Sequence, residues 1–361
     1  MKFDNYNLEK IIWEDFFCKV YLTTKKDDPK NYATKVYDRE KTDQTDEIKH
    51  YLQNEITILK HLNHPNIIKL HDIKKSKEYY YTIFEFCNGR HLSKALENYI
   101  KKHGKPFPEE IIQHLMRQII NVLQYIHEKE IVHRQISSDN ILLNYENEED
   151  SKNSNLIKAQ IKIINFGCSA KLPKSGLVHD LVGYNKDVDP FIIKTLADTS
   201  RQLTKRGYNQ SYDIWYVGSI CYEMLTGKKI FDSDNLSDIL DNIEKGIYSV
   251  PITTSYELIS FITGMLQYSL KQRPTAAELS KHDFLNKDIK QLKKITDLKI
   301  SNMLNRDLIE IDSKNNKCNL SIYNKYDWHD ILNENIGNNK NKEPEKSNNQ
   351  EKETNDISDK K

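Results

Sequence analysis

The densest group of side chains able to do chemistry lies in IVHRQISSDNILLN, residues 131–144. It offers an imidazole (His133), a guanidinium (Arg134), two amides (Gln135, Asn140) and a hydroxyl (Ser137). Gln135 cannot act as a general base: its neutral carboxamide oxygen is too weak to take a hydroxyl proton near pH 7. Three further polar positions stand in patterned surroundings: Lys35 in YATKVY (32–37), Glu55 in DEIKHYLQNEITILKH (46–61) and Asn165 in IKIINFGCSAKL (161–172). Taken alone, Lys35 and Glu55 would be an ordinary solvated pair. Asn140 and Asn165 offer one neutral carbonyl oxygen each. That is a poor donor set for magnesium, which usually needs carboxylates together with phosphate oxygens to offset dehydration.

The elements that must hold these groups follow from apolar spacing. YATKVY alternates like a strand, whereas residues 46–61 carry Ile48, Tyr51, Leu52, Ile56 and Leu59 at helical intervals. A second helix is predicted from Pro108, Glu109 and Glu110 onward, with Ile112, Leu115, Ile119, Leu123 and Ile126 on one face. The chain has 361 residues, enough for about two domains, and a formal charge of +1, which gives no drive towards nucleic acid or an anionic membrane. Its five cysteines (Cys18, Cys87, Cys168, Cys221, Cys318) are scattered without a CxxC, as expected in a reducing compartment. The charged N-terminus does not read as a signal peptide, and no apolar run approaches bilayer length. The expected compartment is the cytoplasm, and nothing in the sequence bars the nucleus.

In their order and spacing these segments resemble the eukaryotic-type Ser/Thr protein-kinase superfamily, as a degenerate member or pseudokinase. In that family the catalytic loop reads H-R-D-L-x-x-x-N, its Asp being the catalytic base and its Asn a magnesium ligand. Here Gln135 takes the base position and Ser137 that of the loop lysine, so no catalytic residue is intact. YATKVY fits V-A-I-K, which makes Lys35 the phosphate-pairing lysine and Glu55 its helix partner. YTIFEFCNGRHL (81–92) is similar to the last small-lobe strand and the hinge, with Phe84 as gatekeeper and the backbone of Glu85 and Cys87 facing adenine. His91 stands where an acid for the ribose is often found. Val20, Ala33 and Leu142 match the side chains that sandwich adenine, with Ile12 beside them; these positions are also core in any kinase fold. Asn140 and Asn165 fall on the metal positions, Asn165 replacing the Asp of D-F-G. A packing column through Leu59, Leu70, His133 and Phe166 ends on Asp213. The resemblance implies an α+β, bilobal protein-kinase fold. The small β-rich lobe with one key helix would span 1–86, the mainly helical large lobe 87–285, and a polar tail 286–361, largely disordered from about residue 337.

The departures carry the functional expectation. Trp13, Asp15 and Cys18 occupy the glycine positions of the phosphate loop, so residues 8–22 read as an ordinary amphipathic hairpin without a phosphate role. GYNKDVDPF (183–191) replaces G-T-P-x-Y-x-A-P-E, with Tyr184 and Phe191 at two of its key positions. Phe191 leaves Arg273, the late family arginine, without its usual partner. Asp180 stands where a phosphorylated residue would meet Arg134, either as a permanent acidic partner or as an incidental loop residue. YENEEDSKNSN (145–155) reads as a solvated loop. The aromatic island at 319–332 is either a docking segment or a weak amphipathic turn. Cys18, Cys87 and Cys168 line the cleft, with no redox role assigned.

Losing a general base typically costs about a hundred- to ten-thousand-fold, and each lost electrostatic group roughly a hundred- to thousand-fold more. Three functions follow, in this order: a catalytically inactive scaffold or allosteric regulator; a slow, divergent Ser/Thr kinase recruiting Glu14, Asp15 or Asp139; and a nucleotide sensor. ATP remains a candidate ligand, whereas a protein-held magnesium is not expected. The expected partner is a protein, with an active kinase as the leading class, and neither nucleic acid nor membrane.

Overall fold

The computed structural model describes residues 2–15, 17–180, 182, 189, 207–230 and 247–292, and the backbone of 309–312 and 317–321. The small lobe is built on β1 (Lys2–Phe3), β2 (Tyr6–Glu14), β3 (Lys19–Lys25), β4 (Asp28–Asp38), β5 (Leu70–Lys75) and β6 (Tyr79–Glu85). They form one sheet in the order β1-β2-β3-β4-β6-β5. Val20 lies opposite Lys35, and Ala33 opposite Phe84. Cross-strand partners and alternate residues share a face, so Val20, Ala33, Lys35 and Phe84 all point the same way.

Helix α1 (Arg39–Gln44) leads into α2 (Asp46–Lys60). Ile48, Leu52 and Leu59 of α2 are buried as the apolar spacing predicts, and so is Glu55 at 1% exposure. A buried carboxylate is tolerated only when paired, which makes Glu55 part of a site and not of the core. Cys18, Tyr37, Ile48 and Leu52 form the apolar cluster joining sheet to helix, with Phe17 and Val20 packed against it.

The large lobe begins with α3 (Leu92–His103) and α4 (Glu109–Glu128). Ile112, Leu115, Ile119, Leu123 and Ile126 of α4 are fully buried, in agreement with the predicted face. Short pairs follow: β7 (Ile131–Val132) and β8 (Ile141–Asn144), then helix α5 (Glu148–Asn153), β9 (Gln160–Ile163) and β10 (Ala170–Lys171). Strand β8 pairs with β9 and β7 with β10, which sets the ends of residues 133–140 and 164–169 side by side. Helix α6 (Ser211–Thr226) is the lobe's central post, and Gly218 lets α7 (Tyr256–Met265) approach it. A Cβ there would stand 2.9 Å from Met265 and 3.0 Å from Leu266. The lobe continues through β11 (Ile247–Pro251), α8 (Ala276–Leu279) and α9 (Asp283–Asn286).

Two expectations change. The segment 145–155 carries α5 and is hydrogen-bonded to the hinge: Asn88 Nδ2 donates to the Tyr145 carbonyl, Tyr145 N–H to Asn88 Oδ1, and Ser151 Oγ to the Asn88 carbonyl. It is a folded brace and not merely a solvated loop. Past residue 285, β12 (Ile309–Asp312) and β13 (Lys317–Ser321) form a three-stranded sheet with β11. Asn319, Leu320 and Ser321 of the aromatic island belong to β13, whereas Tyr323, Tyr326, Trp328 and Leu332 lie outside the described residues, as do Tyr184, Phe191 and residues 337–361.

Candidate functional site: a cleft bonded to itself

Lys35 on β4 reaches α2. Its Nζ donates to Glu55 Oε1 at 2.7 Å and Oε2 at 3.0 Å, and to Asn165 Oδ1 at 2.8 Å. Asn165 Nδ2 donates in turn to Asn140 Oδ1 at 2.5 Å, and Asn140 Nδ2 to the Gln135 carbonyl at 2.8 Å. The direction of this relay is fixed at both ends, because an ammonium only donates and a carbonyl only accepts. Both oxygens foreseen as metal donors therefore already accept hydrogen bonds. Gln135 Oε1, at the base position, is buried without a hydrogen-bond partner. Ser137 is buried, and Asp139 Oδ1 accepts from Ser93 Oγ. Among the described residues no group of three His, Cys, Asp or Glu side chains is suited to a metal ion.

The β2–β3 turn is closed as well. Asp15 Oδ1 accepts from the backbone N–H of Phe17 at 2.8 Å and of Cys18 at 2.7 Å. Phe17 stacks on Tyr51 of α2, with ring centroids 5.2 Å apart. Tyr51 in turn fills the space beside Gly167, where any Cβ would overlap its ring. Glu14 pairs with Lys19 at 3.0 Å. The two acids proposed from this hairpin as substitute bases are thus both engaged locally.

The opposite half of the cleft is apolar. Val20, Ala33 and Leu142 are half-buried, and Ile12 is exposed beside a register shift in β2. The side chain of Glu85 is held by Lys162 Nζ at 2.8 Å and by the Lys69 N–H at 2.9 Å. Among the described residues, no backbone carbonyl receives the Cys87 N–H. Burial pushes the thiols of Cys18 and Cys87 up to about 12 and raises that of Cys168, which keeps all three protonated and unreactive.

Beneath the cleft stands a dense anchor. Asp213, fully buried, accepts from the backbone N–H of His133 at 2.8 Å and of Arg134 at 2.9 Å, and from His127 Nε2 at 3.0 Å. Burial alone would raise this carboxyl; its bonds hold it below the ordinary carboxylate value. His133 packs edge-on against Phe166 at 4.6 Å, and burial holds its imidazole below the usual pKa. Arg134 Nη1 meets Asp180 Oδ2 at 2.7 Å and the Tyr208 hydroxyl at 3.4 Å, so the two side chains are in contact. Asp180 remains 59% exposed, which limits what the ion pair contributes.

Arg273, without the usual partner at position 191, has another carboxylate, that of Asp189. Its Nη1 and Nη2 take both oxygens of Asp189, at 2.5 and 3.1 Å, and neither side chain is exposed. The acid stands two residues before Phe191, so reading the motif position by position missed it. Sequence reasoning also passed over Asn54, whose Nδ2 donates to the Gly167 carbonyl at 2.9 Å and the Ser169 carbonyl at 2.6 Å. Its signal was a polar residue beside Glu55, on the side of α2 that faces the large lobe.

Compared with known proteins, residues 6–285 match the protein kinase domain. The chain belongs to the protein kinase family. It is 27% identical over 314 residues to CBL-interacting serine/threonine-protein kinase 12 of Arabidopsis thaliana, an alignment covering 85% of this chain and 58% of that relative. The family generally binds ATP with magnesium. In this kinase-fold chain the apolar half of the cleft fits a base. The metal half does not fit magnesium, since the amide of Asn165 stands where such an ion needs a carboxylate and is bonded to Asn140, the other metal position.

Proposed function

We propose that this kinase-fold chain does not transfer phosphate and works by binding, as a scaffold or allosteric regulator of another protein in the cytoplasm. The leading partner class is an active protein kinase. The observation that carries the reading is Gln135: the residue at the base position is an amide, and its backbone carbonyl is held by Asn140, itself bonded to Asn165. Further support comes from the intact anchor around Asp213 and Arg273, which preserves a shaped surface without the catalytic groups. The formal charge of +1, and the lack of any membrane-length apolar helix among the described residues, accord with a protein partner.

The alternative reading, slow Ser/Thr phosphotransfer, draws on the Lys35–Glu55 pair at 2.7 Å. A transfer assay with γ-labelled ATP separates the two. Incorporation into a protein hydroxyl by the parent should equal that of Lys35→Met. Labelling by the parent that Lys35→Met abolishes would overturn the proposal and support slow transfer.

A further inference from the structure

On the other face of β8 the chain forms a second concavity, a groove of about 460 Å³ lined by α3, residues 88–90 and the 145–155 brace. It is distinct from the cleft: Leu143 lines it, whereas Leu142, at the adenine position, points to the opposite side of the same strand. Leu143, Tyr145 and Leu156 are buried and make an apolar floor. Arg90, Lys102, His103 and Lys152 are exposed around it. Among the described residues no Asp or Glu lines the groove, although the whole chain carries 53 acids against 54 Lys and Arg. The wall is also preformed, since Asn88 bonds to Tyr145 and Ser151 and fixes the brace against the hinge.

Helix electrostatics account for only part of this charge. Lys102 and His103 stand in the last turn of α3, where a cation suits the helix dipole. Arg90 precedes the first turn, where the dipole disfavours a cation, and that turn holds no acid. Lys94 and Lys101 share Glu97 and Lys152 pairs with Glu148, but among the described residues no carboxylate meets Arg90 or Lys102. Spacing then decides the ligand. About 15 Å of helix separates Leu92 from Lys102, so Arg90 and Lys102 would have to stretch fully towards each other to share one small anion. An extended chain covers that span in about five residues. One acid at each end, with an apolar residue over the floor between them, would satisfy both charges and the apolar surface.

We propose that this groove docks an extended acidic segment of a partner protein, with acids about five residues apart on either side of an apolar residue. Arg90 and Lys102 take the acids, and the apolar residue seats on Leu143, Tyr145 and Leu156. The inference rests on the reading that the chain works by binding, and it fails separately from it. A chain that transfers no phosphate and yet ignores such a segment would overturn this inference alone.

The test is fluorescence anisotropy of the labelled peptide Ser-Asp-Asp-Thr-Leu-Thr-Asp-Asp-Ser with the full chain, without nucleotide. Binding should be saturable and should weaken as sodium chloride is raised. Arg90→Glu and Lys102→Glu, both at exposed positions, should each weaken it about tenfold or more with an unchanged thermal midpoint. Serine in place of the peptide's leucine should weaken it severalfold, and lysines in place of its aspartates should abolish it. No saturable binding, equal affinity in either variant, or equal affinity for the serine or lysine peptide would overturn the proposal. Displacement by single-stranded polyuridylate would also overturn it, by assigning the groove to nucleic acid. So would a dimer in sedimentation that Arg90→Glu dissolves, since the occupant would then be a second copy. The serine and lysine peptides need no variant, and they decide the question if a variant does not fold.

Discussion

Two regions of this kinase-fold chain are both rich in hydrogen bonds, and they use them differently. In the anchor under the catalytic loop, ionised groups are buried and paired: Asp213 against two backbone N–H groups and His127, and Arg273 against Asp189. In the phosphate half of the cleft, two family carboxylates are replaced by the amides of Gln135 and Asn165, Asn165 is bonded to Asn140, and Lys35 is paired with Glu55. The first arrangement holds a shape. The second leaves neutral amides at positions where the family places carboxylates. On the proposed reading the loop keeps the family's architecture without its chemistry, because different atoms carry the two tasks: backbone N–H groups for the fold, side-chain oxygens for the reaction.

The comparison can be broken at several points, in decreasing order of effect. Asp189→Ala should cost about 3–5 kcal/mol in urea unfolding, since it strands a fully buried guanidinium; a loss under 1 kcal/mol would mean that the anchor does not depend on this pair. Acidification should follow, since His133 and Asp213 act together. Both groups titrate lower in the folded chain, so they stabilise it at neutral pH. The histidine contribution is lost as pH falls below the ordinary value of 6.5, and that of Asp213 only below 3.8. A thermal midpoint rising from pH 7 to 5 would contradict that sign.

Asn54→Ala removes two bonds to the Gly167 and Ser169 carbonyls and should cost about 1–3 kcal/mol. It should also loosen residues 166–169 towards amide hydrogen exchange, and unchanged exchange there would deny Asn54 its tethering role. The smallest effect belongs to Asp180→Ala. Its carboxylate is 59% exposed, so stability should fall by less than about 1 kcal/mol. Faster proteolysis of the segment around Asp180 is nonetheless expected, and equal cleavage in variant and parent would make the Arg134 pair incidental.

Much of this was legible in the sequence because it depends on spacing. The twenty residues from Lys35 to Glu55 link a strand to one turn of a helix, and the pair forms. Arg134 and Asp180 were matched in the same way. The partner of Arg273 was not legible from a motif read position by position, because a guanidinium recognises a carboxylate in space and Asp189 reaches it from two residues away. Composition also hid α5, since an acidic, polar tract does not reveal that Ser151 and the backbone at Tyr145 bind Asn88. The self-bonded state of the cleft is a property of hydrogen-bond direction, which residue types alone leave open. Asp15 did leave a signal, as an aspartate at a turn accepts from the backbone two residues on.

The account stands or falls on whether the cleft holds a metal with nucleotide. Manganese replaces magnesium and reports on its own surroundings, so the direct measurement is electron paramagnetic resonance of manganese with ATP, titrated with the full chain. The spectrum should remain that of manganese–ATP in buffer at every protein concentration. A saturable, protein-dependent manganese signal that vanishes in Asn165→Ala would contradict the account.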